Sequence, residues 1–316
     1  MQKRQIAMGI DIGGTNTIVG LIDAEGRCLA EESIKTWDYP RVEEFVDRVH
    51  AVGHEQAAAL SVSLVGIGIG VPTGNADDGT IHASNLPWKG VVPIAALFRD
   101  RFHLPVFVTN DAKAAVLGEM TYGAARGMKN LVVVTLGTGL GCGIVLNGAL
   151  VYGHDGFAGE LGHTIVTPGG RACGCGRRGC LETYVSATGI KRTAIELLAT
   201  EVDDSPLREI PYASLGSKAI DEAAARGDSI ALKTFRYTGE ILGLALANLV
   251  AIIRPEAIFL QGGGAKAGPW FYDAINRSMD ENLLFLYKGQ VPVHRSLLPD
   301  GAIIGASALV WRARRG

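Results

Sequence analysis

One histidine and three cysteines, His163, Cys173, Cys175 and Cys180, fall within a single glycine- and arginine-rich stretch that holds three of the chain's five cysteines. One imidazole and three thiolates make a complete tetrahedral set for zinc, with no position left open for water. An ion there would shape a loop and would not itself react. Glu160 and Glu182 flank the set, so the knot would deliver two carboxylates to fixed places, like one wall of a binding site. Two other readings compete. A disulfide framework needs an oxidising compartment, yet no secretory segment is recognisable ahead of Ile6, and Cys173 and Cys175 are too close to bridge each other. Buried thiols need a core, which a Gly/Arg-rich loop lacks. Cys28 and Cys142 lie in apolar strand-like runs and are expected to be small core hydrophobes.

Three glycine clusters follow strand-like runs: Gly13-Gly14, Gly137–Gly141 and Gly262–Gly264. Backbone amides at such turns cradle phosphate, and ligands of α/β sheets gather at strand ends. There is no GxxxxGK[ST] sequence, and Gly66, Gly68 and Gly70 alternate along a strand instead of forming a dinucleotide fingerprint. Asp11 sits in the first glycine turn. A carboxylate beside a phosphate cradle implies a cation between them, so Mg²⁺ is expected. Asp111 lies where a strand gives way to a helix. From local sequence it reads either as a helix N-cap or as a general base towards a hydroxyl.

The elements that must hold these residues alternate between strand and helix, which argues an α/β class. The strands are Ile6–Ile10, Thr17–Ile22, Val65–Gly70, Pro105–Val108, Leu131–Val134, Gly143–Leu146 and Ala257–Leu260. Helices are expected at Val42–Leu60, Ile94–Phe102, Ala112–Tyr122, Gly189–Thr200, Ser217–Arg226, Ser229–Ile253 and Gly301–Arg314. A strand, a polar glycine turn, a second strand and a hairpin occur twice, with Asp11 aligned on Thr135 and Gly13 on Gly137. The repeat suggests two related domains, although any two glycine-rich hairpins look alike. At 316 residues two domains are also the default. A hydrophobic content of 47 % with a formal net charge of −2 fits a soluble globular protein. No basic stripe points to nucleic acid, and no N-terminal run is long enough to span a membrane.

Taken together, Asp11-Ile12-Gly13-Gly14-Thr15, Asn110-Asp111-Ala112, Thr135-Leu136-Gly137-Thr138-Gly139, Glu160-Leu161-Gly162-His163, Cys173-Gly174-Cys175-Gly176 with Gly179-Cys180-Leu181-Glu182, and Gly262-Gly263-Gly264 closely resemble the ROK family of sugar kinases. The resemblance covers nearly the whole chain. It implies two actin-like, hexokinase-like (ribonuclease H-like) α/β domains with an intervening cleft. The first would be residues 1–121, completed by a C-terminal helix at 302–316, and the second residues 122–301. It implies ATP, Mg²⁺ and structural Zn²⁺ as cofactors, and a cytoplasmic homodimer or homotetramer. By position, Asp11, Gly13, Gly14, Thr15, Gly137, Thr138 and Gly139 resemble the phosphate loops, and Gly262, Gly263 and Gly264 the adenosine-side loop. Asp111 resembles the catalytic base. Asn85, Asn110, Asp111, Glu160, His163 and Glu182 resemble the sugar contacts. His163 would bind zinc through one ring nitrogen and present the other to the sugar.

The implied reaction is transfer of the ATP γ-phosphoryl group to the 6-hydroxyl of a hexose. Glucose is the first expectation, because the Glu160/His163/Glu182 set and the form of the knot match glucokinase-like members. N-acetylmannosamine or N-acetylglucosamine comes next, then fructose. The family also holds sugar-binding repressors with an added DNA-reading domain, for which the ten residues ahead of Asp11 leave no room; a non-enzymatic sugar sensor is the remotest expectation. Asn16 stands where many members have Lys, Lys113 where Asn is common, and Pro72-Thr73-Gly74 replaces a more usual turn. Lys113 is expected either to supply charge near the site or to face solvent.

Overall fold

The computed structural model describes residues 3–83, 86–298 and 301–315. In chain order the elements are β1 (Gln5–Ile12), β2 (Asn16–Ile22), β3 (Cys28–Lys35), α1 (Val42–Ala59), β4 (Ser63–Gly70), β5 (Ile81–Ala83), β6 (Gly90–Val92), α2 (Ile94–Phe102), β7 (Val106–Thr109), α3 (Asp111–Tyr122), β8 (Leu131–Leu136), β9 (Leu140–Leu146), β10 (Ala149–Leu150), α4 (Glu182–Val185), α5 (Ala187–Thr200), α6 (Ser217–Ala225), α7 (Ser229–Ile253), β11 (Ala257–Gln261), α8 (Pro269–Asn282), β12 (Val293–Arg295) and α9 (Gly301–Arg315). They form two units. One comprises residues 1–128, 150–158 and 297–316, the other residues 129–149 and 159–296.

The first unit is built on the sheet β3-β2-β1-β4-β7, in which β1, β2 and β3 run antiparallel and β1, β4 and β7 parallel. Successive strand residues face opposite sides. Ile6, Met8, Ile10 and Ile12 of β1 therefore join Phe45, Val46 and Val49 of α1 and Phe98 and Phe102 of α2 in one core. Apolar residues three or four apart give α1 the stripe that this face needs. The opposite face receives α9. Here Ala7 packs with Val310 and Trp311, and the glycines of the two central strands act as a seat. A Cβ on Gly9 would fall 2.1 Å from the Ile303 carbonyl oxygen, and one on Gly68 1.8 Å from that of Ala306. Of the alternating glycines of β4, Gly68 thus serves close approach of a helix backbone, while a Cβ on Gly66 would meet the Val310 side chain at 2.7 Å. Gly305 likewise lets α9 lie against α3, where a Cβ would meet the Ala114 carbonyl oxygen at 1.8 Å.

The second unit repeats the strand order as β10-β9-β8-β11-β12, again with an antiparallel meander followed by parallel strands. Asn147 and Gly148, at φ +53° and +80°, make the tight turn from β9 to β10. Its core joins Val132, Val134 and Leu136 of β8 and Ile258 and Leu260 of β11 to residues of α5, α6, α7 and α8. At 25 residues, α7 is long and apolar enough by composition to cross a bilayer. It is a core helix here: Phe235, Leu242, Leu246 and Val250 are buried with Phe271, Ile275 and Met279 of α8.

Two expectations need correction. Cys142 is buried, but Cys28 is exposed at the start of β3, an edge strand with less to cover it. Lys113 does not face solvent; it is 3 % exposed.

Because the obstacle at Gly68 is main chain and cannot turn aside, Gly68→Ala should cost about 3 kcal/mol or more. Gly216→Ala, where a Cβ meets open space and only the N-cap glycine of α6 is exchanged, should cost about 1 kcal/mol or less. Urea unfolding of both variants checks this; equal small losses would mean that α9 rides freely on the sheet.

Candidate active site

Parallel strands β1 and β7 carry Asp11 and Asp111 to the same edge of the first sheet. Asp11 pairs with Gly70 of β4, and Gly70 with Thr109 of β7. Gly70 lets the start of α3 sit close, since its missing Cβ would touch Ala114 Cβ at 3.2 Å and Asp111 Cα at 3.6 Å. Capping of α3 falls to Asn110, whose side chain accepts from Ala112 N at 3.0 Å and Lys113 N at 3.4 Å. Asp111 is the first helical residue and accepts from Ala112 N at 2.8 Å. The N-cap reading of Asp111 therefore gives way. Burial raises its pKa above the ordinary carboxylate value, opposed by main-chain N–H bonds and by the Asn110 side chain. Burial, and then the neighbouring Asp111 charge, push the Asp11 carboxyl up to about 7. A carboxylate this reluctant to ionise is suited to a cation partner, and Asp11 with the adjoining turn fits Mg²⁺.

That turn is a braced loop. Gly13 N donates to Asn16 O at 3.0 Å, Thr36 Oγ1 to Gly13 O at 2.8 Å, and Trp37 Nε1 to Gly14 O at 2.5 Å. Thr15 and Asn16 stay exposed at its tip. In the second unit the other two glycine loops follow adjacent parallel strands, with Thr135 of β8 opposite Gln261 of β11. Gly137 N bonds Gly139 O at 3.0 Å, and Thr188 Oγ1 donates to Thr138 O at 3.2 Å. Gly262, at φ +93°, and Gly264 both press on Leu136, while Gly137 and Gly263 have nothing within 4 Å of a would-be Cβ. Two open glycine faces thus flank the end of β8, a chemistry of backbone amides fit for phosphate.

The donor atoms of His163, Cys173, Cys175 and Cys180 all lie within 4.8 Å of one another. Cys175 Sγ and Cys180 Sγ are 3.7 Å apart, and Cys173 Sγ lies 3.6 Å from His163 Nδ1. Around a tetrahedral zinc the corresponding edges are about 3.8 Å and about 3.6 Å. The residues therefore fit that ion. Nδ1 faces the thiols, and Nε2 lies 3.9 Å from Glu160 Oε2. Cys173 Sγ and Glu182 Oε1 lie 2.9 Å apart, which places the carboxylate that starts α4 beside the cluster. Burial pushes the Cys173 thiol up to about 12, while the Arg177 main-chain N–H and side chain draw Cys175 down to about 6.

Sequence reasoning missed the residue that anchors the knot. Arg171 is buried and stacks on Tyr184, with its guanidinium carbon 4.6 Å from the ring centroid. Its guanidinium donates to Thr183 O at 2.9 Å, Gly189 O at 3.3 Å and Thr193 Oγ1 at 3.0 Å, and it pairs with Glu196. The arginine-rich composition was the available signal, but nothing in it separates Arg171 from exposed Arg177 and Arg178. Within the first unit the structure gathers Asp11, Gly13, Gly14, Asn110 and Asp111; within the second, Glu160, His163 and Glu182 around the cysteines, and separately the two loops at β8 and β11. Asn85 lies outside the described residues.

The model of the ROK family matches residues 7–313. A glucokinase of Halalkalibacterium halodurans is 38 % identical over 279 residues, covering 83 % of this chain and 81 % of that protein. The crystal structure of a ROK family glucokinase from Streptomyces griseus, in complex with glucose and AMPPNP, superposes with a TM-score of 0.83 at 33 % identity, over 98 % of this chain and 100 % of that one. A ROK family transcriptional regulator, a homologue of the Escherichia coli MLC protein, superposes with a TM-score of 0.88 at 27 % identity, covering 98 % of this chain but 78 % of its own.

An Asp with a raised pKa contributes stability while protonated and loses it as pH climbs through the folded value. In Mg²⁺-free buffer, Asp11→Asn should thus match the wild-type Tm near pH 4 and exceed it near pH 8. A difference that does not grow with pH would contradict this environment for Asp11.

Proposed function

The chain belongs to the ROK family, and we propose that it is a sugar kinase that transfers the γ-phosphoryl group of ATP to the 6-hydroxyl of a hexose, with glucose the preferred acceptor. The observation that carries the catalytic reading is Asp111: a carboxylate at the C-terminal edge of the sheet, relieved of capping by Asn110 and raised in pKa by burial. Such a group accepts a proton more readily than an exposed Asp. The glucokinase likenesses support glucose.

In this reading Asp111 orients the 6-hydroxyl and takes its proton late, as the oxygen–phosphorus bond forms. Phosphoryl transfer proceeds through a loose transition state, so positioning and charge stabilisation supply most of the rate. The amides of Gly14–Thr15 and Thr138–Gly139 hold phosphate oxygens in loops braced by the Gly13 and Gly137 N–H groups, and Gly262–Gly264 the adenosine side. Mg²⁺, held near Asp11, would neutralise charge on the phosphates. Zn²⁺, held by His163, Cys173, Cys175 and Cys180, would be structural, fixing His163 by its Nδ1 so that Nε2 and Glu160 are presented together. Asn110 and Asp111 in the first unit and Glu160, His163 and Glu182 in the second are the sugar contacts of this reading. The protein would work as a cytoplasmic homodimer or homotetramer.

A phosphorylation panel with ATP and Mg²⁺ over glucose, mannose, fructose, N-acetylglucosamine and N-acetylmannosamine tests the proposal. Glucose should turn over fastest, and Asp111→Asn should lower kcat about a thousandfold with little change in sugar binding. Turnover of an N-acetylhexosamine alone would keep the mechanism and replace the substrate. Sugar binding without turnover of any sugar would overturn the kinase reading in favour of a sensor.

A further inference from the structure

Lys113 stands in the first turn of α3, two residues beyond Asp111, and is almost wholly buried. An ammonium group in a protein interior is costly unless it is bonded there. Its Nζ donates to the Gly156 carbonyl oxygen at 2.5 Å and lies 5.3 Å from the centroid of the Tyr152 ring. Both partners belong to residues 150–158, the segment that joins the first unit although the chain on either side of it joins the second.

The same segment is held at a second point. Asn75 Nδ2 donates to Asp155 O at 3.2 Å. Gly156, at φ +89°, lies so close to Asn75 that a Cβ would meet its Oδ1 at 2.9 Å. Ala158 N closes the segment onto Tyr152 O at 2.9 Å, and the His82 ring stands edge-on to Phe157 at 5.4 Å. The next residues in the chain are Gly159 and Glu160, and then the short turn Leu161–His163. Lys113 therefore bears on the segment that leads into Glu160.

We propose that Lys113 is a positioning residue for the acceptor sugar: its buried ammonium pins residues 152–158, and through them the placement of Glu160 and His163, so that it governs hexose affinity and not the chemical step. The inference rests on the hexose kinase reading above.

Steady-state kinetics of Lys113→Met, with hydrogen exchange of peptides spanning 150–158, is the test. The hexose KM should rise about tenfold or more while kcat and the KM for ATP stay within about threefold. Exchange in the segment should quicken by a similar factor. An unchanged hexose KM overturns the proposal, as does a fall in kcat with hexose KM unaltered. Should Lys113→Met fail to fold, Asn75→Ala loosens the same segment and must reproduce the rise in hexose KM, or the proposal falls. If the wild-type protein phosphorylates no hexose, the kinase reading has failed on its own account. Exchange then decides the anchoring alone: faster exchange in Lys113→Met upholds it, and unchanged exchange overturns it.

Discussion

Four donor atoms on one loop, gathered within 4.8 Å, are the constraint on which the second half of the candidate site depends. The loop from Gly159 to Leu181 has little regular structure, and Leu161 and Leu181 at its two ends are its anchors in the core. The Cys/His cluster holds its shape from within. Arg171 holds it from below, through the carbonyls of Thr183 and Gly189 and the face of Tyr184. Glu182 follows Cys180 by two residues and lies beside Cys173, and Glu160 is tied to His163 by its place one turn earlier. The carboxylates are set by the knot, and the knot is set by a buried cation.

The first unit solves the corresponding problem with main chain. Asp11 and Asp111 need no loop of their own, because parallel strands end at a common edge and carry them there. Glycine makes the arrangement dense: Gly9 and Gly68 admit α9, Gly305 admits α3, and Gly70 admits the start of α3. Density has an electrostatic consequence. The same burial that sharpens the position of these carboxyls raises the pKa of both, favouring a proton acceptor at Asp111 and a cation partner at Asp11.

Much of this was legible in the sequence because it is local. Strand and helix periods, the glycine turns after β1, β8 and β11, and the Cys-x-Cys spacing are all written in short windows. What escaped depends on distance. The acceptor of Lys113 is Gly156, and those of Arg171 lie a dozen or more residues further on, so neither cation could be told from a solvated one. Helix α8 was missed although Phe271, Ala274, Ile275 and Met279 recur at helical spacing and Gly268-Pro269 marks its start. Cys28 was misread because an apolar run does not reveal which strand lies at an edge. Asp111 and Asn110 compete for one cap, and only the backbone shows that Asn110 wins it.

The central claim is that the Cys/His knot holds the sugar-binding side chains in place. It is tested most directly by measuring bound metal and hexose affinity together, by elemental analysis and calorimetry, before and after stripping with a thiol-competent chelator. The account predicts one zinc per chain, loss of hexose binding as the zinc leaves, and retention of nucleotide binding. Hexose binding that survives in zinc-free protein would contradict it.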